Sequence, residues 1–120
     1  MAYDSNNVFA RILRGEIPCN KVYENEYALA FHDLQPQAPT HVLVIPKGDY
    51  VDHKDFAVKA SDAEIAGLHR AIGNAADIQG VSESGYRLIS NAGPNAGPEV
   101  PHYHVHIIGG RALGPILMRK

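Results

Sequence analysis

The segment PHYHVHIIGGR, from Pro101 to Arg111, places His102, His104 and His106 at alternate positions of an otherwise apolar stretch. Successive side chains of a β-strand point to opposite faces of a sheet, so this spacing predicts a strand that carries three imidazoles on one face. The residues between the histidines are apolar or aromatic, which suits the opposite face to packing against a core. A chain with this pattern needs a sheet in which one face carries the histidines and the other face packs against the core.

The spacing of the three rings also limits their charge. Alternate residues of a strand lie about 6.5–7 Å apart. Two imidazolium charges at that distance repel by roughly 2–2.5 kcal/mol at an effective dielectric constant of ~20. Because this repulsion exceeds one pKa unit, the three rings cannot all be charged near neutral pH, and they titrate as a coupled set. A row of mostly neutral imidazoles offers a nucleophile, proton donors and phosphate hydrogen-bond donors in one place.

A zinc site is the alternative chemistry for this pattern, since His-x-His on a strand can hold a metal ion. Three alternate strand residues span about 13 Å, which is too far for all three rings to reach one ion. A metal site would therefore use two of the histidines and ligands from elsewhere in the chain. The spacing alone leaves both kinds of site open.

The rest of the chain reads as short strands and two helices. Asn6 or Asn7 can cap a short helix in SNNVFARILRGEIP, and Ser61 and Glu64 have the spacing of a capping box that opens a long helix over SDAEIAGLHRAIGNAADIQG. Further strands are predicted over KVYE, YALAFH, THVLVIP and GYRLISN. DYVDHKDF is expected to be a charged loop, and NAGPNAGPEVP a loop rich in Gly and Pro.

All the connections between strands but one are short, which favours antiparallel pairing. We therefore expect an α+β fold, with a five-stranded antiparallel sheet, one long helix and one short helix. The chain has 120 residues, close to the usual size of one domain, so we expect residues 1–120 to form a single domain.

Composition limits the class of partner. The chain is 45% hydrophobic and 20% charged, with a net charge of -2. No cluster of Lys and Arg appears, which argues against nucleic acid or an anionic membrane as the main partner and leaves room for a small phosphorylated ligand. The single cysteine, Cys19, cannot form an internal disulfide, and the first residues do not look like a signal peptide, so we expect a reducing compartment, the cytoplasm.

Several motifs together resemble one protein family. HYHVHII follows the pattern His-φ-His-φ-His-φ-φ, with φ apolar, of the histidine triad (HIT) family. The blocks VFARILRGEIPCNKVYEN, ALAFHDLQPQAPTHVLVIPK and SNAGPNAG look, in this order, like the Hint branch, the purine nucleoside phosphoramidases. The resemblance covers nearly the whole chain. It implies a HIT-like fold, a homodimer joined through the GYRLISN strand and the long helix, and hydrolysis of nucleotides substituted on the α-phosphate, such as AMP bonded to an amine.

The resemblance also implies a role for each histidine of the motif. His104, the middle one, would be the nucleophile and form a nucleotidyl-histidine intermediate that water then cleaves. His106 would hydrogen-bond the phosphate oxygens. His102 would be a supporting residue, held in turn by a fourth histidine that matches His41.

The same resemblance implies how a purine nucleotide substrate is bound. Asp33 in FHDLQP would bind the ribose hydroxyls, and Asn91 in SNAG would lie beside the phosphate. Backbone N–H groups of the NAGPNAG loop, which ends at Gly97, could cradle phosphate oxygens. The apolar walls of the base pocket would come from Phe9, Ile12 and Leu34, with Phe31 and Val42 as further candidates. No metal or other cofactor is needed for any of these steps.

Two residues before the triad, Pro98 and Glu99, depart from the Hint pattern, in which Gln followed by Ser or by Glu is common. Pro98 removes a backbone donor and an amide side chain near the phosphate. Glu99 stands where a hydroxyl would assist the leaving group, so it could act as an acid or favour a cationic leaving group. The C-terminal ALGPILMRK also lacks the aromatic ending of some members, and tails of this family reach toward the partner's site, which bears on specificity.

Related functions remain as alternatives. The dinucleoside polyphosphate hydrolase branch of the same superfamily shares the triad, but the VFARILRGEIP block favours the Hint branch. The transferase branch carries Gln at the third triad position, and His106 argues against it. A non-catalytic nucleotide-binding module would keep the pocket and lack turnover.

Overall fold

The computed structural model, which describes residues 2–118, contains five strands joined in one antiparallel sheet. Met1, Arg119 and Lys120 lie outside the described residues, and the last two belong to the tail discussed above. The strands are β1 (Lys21–Glu24), β2 (Ala28–His32), β3 (Thr40–Pro46), β4 (Tyr86–Ile89) and β5 (Val105–Gly109), and their order across the sheet is β1-β2-β3-β5-β4. The predicted α+β fold with a five-stranded antiparallel sheet is confirmed.

Three helices accompany the sheet: α1 (Val8–Leu13), α2 (His53–Lys59) and α3 (Asp62–Ile78). The side chain of Asn7 caps α1 by accepting a hydrogen bond from the N–H of Ala10 at 2.9 Å. Ser61 and Glu64 form the predicted capping box at the start of α3. Within residues 2–118, no helix is both long and apolar enough to cross a membrane.

Helix α2 replaces the charged loop that the sequence predicts over DYVDHKDF. Asp52 caps it by accepting a hydrogen bond from the N–H of Asp55, and Phe56 is its one buried residue. The Phe56 ring lies 5.1 Å from the ring of Tyr50 and 5.0 Å from that of Tyr103, centre to centre. One aromatic anchor and one cap therefore hold a helix whose other residues are mostly charged, because tertiary packing overrides the polar local composition.

Helix α3 covers one face of the sheet, and the larger apolar core lies between them. On the helix, Leu68 and Ile72 are buried against residues such as Val44 and Ile107 of the strands. The helix comes close to the turn between β1 and β2 at Gly67, where an added Cβ would lie only 2.7 Å from the Tyr27 ring. A side chain at that position would force the helix or Tyr27 to shift.

Helix α1 covers part of the opposite face. Its Phe9 packs with Leu29, Phe31, Leu43 and Ile45 in a second, smaller apolar cluster. Strands β2 and β3 are therefore buried on both faces, which explains why they read as continuous apolar runs with little alternation.

Strand β5 begins at Val105, later than the triad pattern predicts. His102 donates its backbone N–H to Val100 and Tyr103 donates to Tyr50, so neither takes part in the sheet ladder. The alternation still holds in the packing, because Tyr103 lies in the α3-side core while His104 borders the opposite face.

Candidate active site

A cavity of about 270 Å³ lies beneath α1 on the face of the sheet opposite α3. Its polar end is formed by Asp33, Glu99, His104 and His106, which the fold brings together from three separate segments. The remaining walls are mostly apolar: Val8, Phe9, Ile12, Ile17, Pro18, Cys19, Phe31, Leu34, Leu43 and Val100. The arrangement suits a ligand with a flat apolar part and a charged end.

His104 is buried at this polar end, and its tautomer is determined by the backbone. Its Nδ1 lies 2.7 Å from the carbonyl oxygen of His102, and a carbonyl can only accept, so Nδ1 carries the proton. In the neutral ring, Nε2 then keeps a free lone pair. That nitrogen lies 3.6 Å from Oε1 of Glu99, toward the cavity. The geometry is that of an oriented nucleophile.

A chain of hydrogen bonds fixes His106. The backbone N–H of Gln37 donates to Nδ1 of His41 at 3.1 Å, so Nε2 of His41 carries the proton in the neutral ring. That nitrogen lies 2.9 Å from Nδ1 of His106, which must accept. Nε2 of His106 is therefore a donor, and it lies 3.4 Å from Oε1 of Glu99. These assignments follow from the hydrogen-bond network.

His41 reaches His106 because of the strand register. In the antiparallel pair of β3 and β5, His41 lies opposite Ile108 and Leu43 lies opposite His106. His41 and His106 are thus diagonal neighbours on one face, with ring centres 5.1 Å apart. The expectation that His41 holds His102 is wrong, since its partner is His106.

His102 is held by other groups. Its Nε2 lies 2.8 Å from the carbonyl oxygen of Pro46, so Nε2 carries the proton, and its Nδ1 accepts from the Tyr3 hydroxyl at 2.5 Å. Burial raises the pKa of Tyr3, so the phenol stays a donor at neutral pH. Tyr3 is 99 residues from His102 in the chain, and no local pattern in the sequence marks it. The backbone carbonyl of His102 in turn accepts the Nδ1–H of His104.

Burial lowers the pKa of two of the three triad histidines. For His102 burial is the main cause. For His106 burial is again the main cause, and a charge on His104 would lower its pKa further. Burial therefore favours the neutral form of the His102 and His106 rings near pH 7.

Asn91 and Glu99 are in contact beside the histidines. The amide of Asn91 donates to Oε1 of Glu99 at 2.7 Å. Burial alone would raise the pKa of Glu99, but the hydrogen bond from Asn91 and the neighbouring His104 and His106 outweigh it and lower the pKa. Glu99 is consequently an anion in the free protein. The same carboxylate also borders a second, more polar cavity of about 310 Å³.

Gly97 lines this second cavity, but its backbone N–H donates to the carbonyl of Pro94 at 3.2 Å within a short 3-10 turn. The N–H of Ala96 is used in the same way by Gly93. These two backbone donors of the loop are therefore engaged within the turn and are not directed at a phosphate.

Asp33 and Leu34 lie at the mouth of the first cavity. Oδ1 of Asp33 accepts the backbone N–H of Gln35 at 2.8 Å, and Oδ2 lies 3.4 Å from Nε2 of His41. Leu34 is 84% exposed and forms part of the rim. The carboxylate is thus oriented by the turn and kept at the edge of the apolar walls.

The structure also corrects the list of apolar walls. Phe9, Ile12, Leu34 and Phe31 line the first cavity as expected, whereas Val42 lies in the core on the α3 side. Leu43, its neighbour, takes that place, because alternate residues of β3 face opposite sides. The sequence would have identified Leu43 if the two faces of the THVLVIP strand had been assigned correctly.

Among residues 2–118, two sets of residues have donor atoms close enough to hold one metal ion. They are Asp33, His41 and His106, and Glu99, His104 and His106, with the donor atoms of each set within 4.8 Å of one another. Only the second set contains two histidines of the triad, as the zinc interpretation of the sequence requires. Occupation of either would engage a nitrogen of the triad.

Comparisons with known proteins define the class. The HIT domain family model matches residues 14–113, so the chain belongs to the HIT family. It is 63% identical over 117 residues, 98% of this chain and 96% of the other, to an uncharacterized 13.2 kDa HIT-like protein of Azospirillum brasilense. It is 43% identical over 116 residues, 94% of each chain, to the purine nucleoside phosphoramidase of Escherichia coli.

A solved structure gives the same assignment. The HIT family hydrolase from Clostridium thermocellum superposes with a TM-score of 0.86 at 39% identity, over 96% of this chain and 99% of that chain. The resemblance to the HIT family that the sequence motifs indicate is confirmed, and one relative is named a purine nucleoside phosphoramidase.

Proposed function

We propose that this protein, as one HIT domain, hydrolyses nucleotides substituted on the α-phosphate, with purine nucleoside 5'-phosphoramidates as substrates. The observation that carries the proposal is the orientation of His104, whose Nδ1–H is fixed on a backbone carbonyl while Nε2 lies at the polar end of an apolar cavity. The Escherichia coli relative, 43% identical, is named a purine nucleoside phosphoramidase. The class of hydrolase fits the names of both that relative and the structural neighbour.

In the first step, the Nε2 lone pair of His104 attacks phosphorus. An N–P bond to His104 forms, the P–N bond to the amine breaks, and the amine leaves with the bonding pair and takes up a proton. The ring becomes cationic while it is phosphorylated, and the Nδ1–H hydrogen bond to the His102 carbonyl stabilises that charge. His106 donates its Nε2–H to an equatorial oxygen.

In the second step, water attacks phosphorus on the intermediate. An O–P bond forms, the N–P bond breaks, and its electron pair returns to Nε2 of His104. One proton of the water is released and the nucleoside monophosphate leaves. The division of one displacement into two is the usual advantage of a covalent intermediate.

The nucleoside is assigned to the cavity under α1. The base lies between apolar walls that include Phe9, Ile12 and Phe31, and Asp33 at the rim accepts hydrogen bonds from the ribose hydroxyls. Glu99 and Pro98 border the leaving-group side, where a carboxylate favours an amine that departs as a cation.

The homodimer expected from the sequence is also part of the proposal. Strand β4 is an edge of the sheet, and its Tyr86 and Leu88 are 39% and 46% exposed in the isolated chain. An exposed apolar edge strand invites pairing with a second copy. We place the dimer in the cytoplasm, which suits a chain with one unpaired cysteine. Sedimentation at micromolar concentration tests the assembly, and a monomer would refute it.

The decisive experiment is turnover of a fluorogenic adenosine 5'-phosphoramidate, with and without a chelator. We expect release of the amine in both conditions. Wild-type protein quenched during turnover in acid-free denaturant should carry a nucleotidyl adduct on His104. Loss of activity on chelation would favour a metal at one of the two ligand sets, and tight nucleotide binding without turnover would favour a non-catalytic module.

A further inference from the structure

Two donor groups, the amide of Asn91 and the Nε2–H of His106, converge on a single oxygen of Glu99, which also lies near the unprotonated Nε2 of His104. Oε1 lies 2.7 Å from the amide nitrogen of Asn91, 3.4 Å from Nε2 of His106 and 3.6 Å from Nε2 of His104. These atoms are the ones that the proposed reaction directs at the α-phosphate. The carboxylate therefore occupies, in the free protein, the position that a phosphate oxygen needs.

The contacts of Glu99 are those of an occupied anion site. Its side chain is only 28% exposed, and its lowered pKa keeps it charged, because the donors around it outweigh the cost of burial. A phosphate that binds His104 and His106 has to displace this anion or share the donors with it. The polar cavity on the far side of Glu99 offers room for the displaced side chain.

We propose that Glu99 is a specificity-determining residue that competes with the α-phosphate for the donors of His106 and Asn91, beside His104, and thereby selects ligands by their charge. The proposal rests on the proposed function. A phosphoramidate carries one negative charge on its phosphate, whereas a nucleoside monophosphate carries nearly two above its second pKa of about 6. Glu99 therefore disfavours the product relative to the substrate and promotes product release.

The size of the effect follows from the distances. An additional charge within about 5 Å of a carboxylate is repelled strongly at an effective dielectric constant of ~20, and partial exposure reduces the repulsion. We expect the carboxylate to weaken dianion binding by about tenfold and monoanion binding by about threefold, a discrimination of about threefold.

The test compares three probes at pH 8: inorganic phosphate, AMP, and the methyl ester of AMP, which is a monoanion and has no amine to lose. Affinities are measured calorimetrically for wild type, Glu99→Gln and Glu99→Ala. The matched control is Glu83→Gln, which removes the same formal charge from an exposed residue in the turn after α3 that makes none of these contacts. Thermal unfolding of each variant verifies that it is folded.

We expect both Glu99 variants to bind AMP and inorganic phosphate about tenfold more tightly and the methyl ester about threefold more tightly, with Glu83→Gln unchanged. Equal affinity of wild type and both Glu99 variants for AMP and phosphate would overturn the proposal, and so would equal tightening of AMP and its ester. If wild type turns over the phosphoramidate but the affinities do not change, only this inference fails. If phosphate binding tightens and turnover is absent, the proposed function fails and the competition by Glu99 stands.

Discussion

Strands β3 and β5 present different chemistry on their two faces. On the α3 side, Val42, Val44 and Ile107 are buried in an apolar core. On the opposite side, His41 and His106 come from the same two strands and form a hydrogen-bonded pair. The α3-side face of these strands is apolar, whereas the opposite face combines the apolar cluster around Leu43 and Ile45 with hydrogen-bonded histidine rings.

The difference shows how a small sheet can carry polar groups in its interior. Each buried ring nitrogen that faces away from the cavity has a partner, such as the carbonyl of His102 for His104 or that of Pro46 for His102. Among residues 2–118, no fully buried side-chain nitrogen or oxygen lacks a hydrogen-bond partner. Because the buried polar atoms have hydrogen-bond partners, their burial does not cancel the stability that the apolar core provides.

The largest expected effect is that of His104→Ala, a change on the polar face that should affect turnover and not nucleotide binding. Loss of the proposed nucleophile should lower kcat by a factor on the order of 10³ or more, while AMP affinity stays nearly unchanged, because the proposed role is covalent. Single-turnover kinetics and AMP titration measure the two quantities. Substantial residual activity would refute the covalent mechanism.

A change on the apolar, α3-side face should instead lower stability and leave kcat unchanged. Ile107→Ala should lower the free energy of unfolding by about 2–5 kcal/mol, because it opens a cavity in the α3-side core. Its kcat should remain that of wild type at a temperature where it is folded. Ile108→Ala, one residue on and only half-buried, is the matched control with a smaller expected loss. Urea unfolding followed by turnover of the same samples makes the comparison.

Asp33→Asn tests the rim of the polar face. The Asn side chain can still accept the N–H of Gln35, so the turn should persist while the ribose loses a charged acceptor. We expect ribonucleotide binding to weaken by about 1.5–3 kcal/mol and the gap between ribose and 2'-deoxyribose substrates to narrow. An unchanged gap would restrict Asp33 to its role in the turn.

Tyr3→Phe removes one hydroxyl behind His102. We expect kcat to fall by about tenfold with KM unchanged, since His104 is positioned through the His102 backbone and not by substrate. The ¹⁵N chemical shifts of His102 should report a loosened tautomer, which a general loss of stability would not produce. Tyr86→Phe, on the exposed edge strand, is the control. Wild-type shifts in the Tyr3 variant would contradict this positioning role.

The smallest expected effect is a decrease in the free energy of unfolding at acid pH. The pKa values of His102 and His106 are lowered in the folded protein, mainly by burial, so the unfolded chain binds more protons below its ordinary value of 6.5. The stabilisation is complete above pH 6.5 and is lost as the pH falls toward the folded-state pKa values. Unfolding free energies at pH 7.5 and 5.5 should differ in that direction. His106→Asn should flatten the slope, whereas His69→Gln on the exposed face of α3 should not.

Local signals in the sequence predicted much of the fold. The strand over THVLVIP, the Asn7 cap and the capping box of α3 depend on neighbouring residues, and all three occur where expected. Helix α2 was missed because Phe56 gains its stability from aromatic rings elsewhere in the fold.

The sequence predicts which residues form the site better than it predicts which of them contact one another. The triad spacing and the family motifs identify the histidines, but the link from His41 to His106 depends on strand register, which the sequence does not encode locally. The contact of Tyr3 with His102 joins distant parts of the chain and has no sequence signature. Long-range geometry, and not residue type, separates the correct assignments from the wrong ones.

The hydrogen-bond chain from Gln37 through His41 to His106 has a consequence for proton movement. On its inner side, through Nδ1, His106 could receive a proton only from Nε2 of His41, and that transfer would leave an imidazolate facing a backbone amide that cannot release a proton. The hydrogen bonds therefore orient His106, but they do not relay protons to it. In the proposed reaction, the proton that the departing amine acquires then enters from the solvent side, where Glu99 lies within 3.6 Å of Nε2 of both His104 and His106.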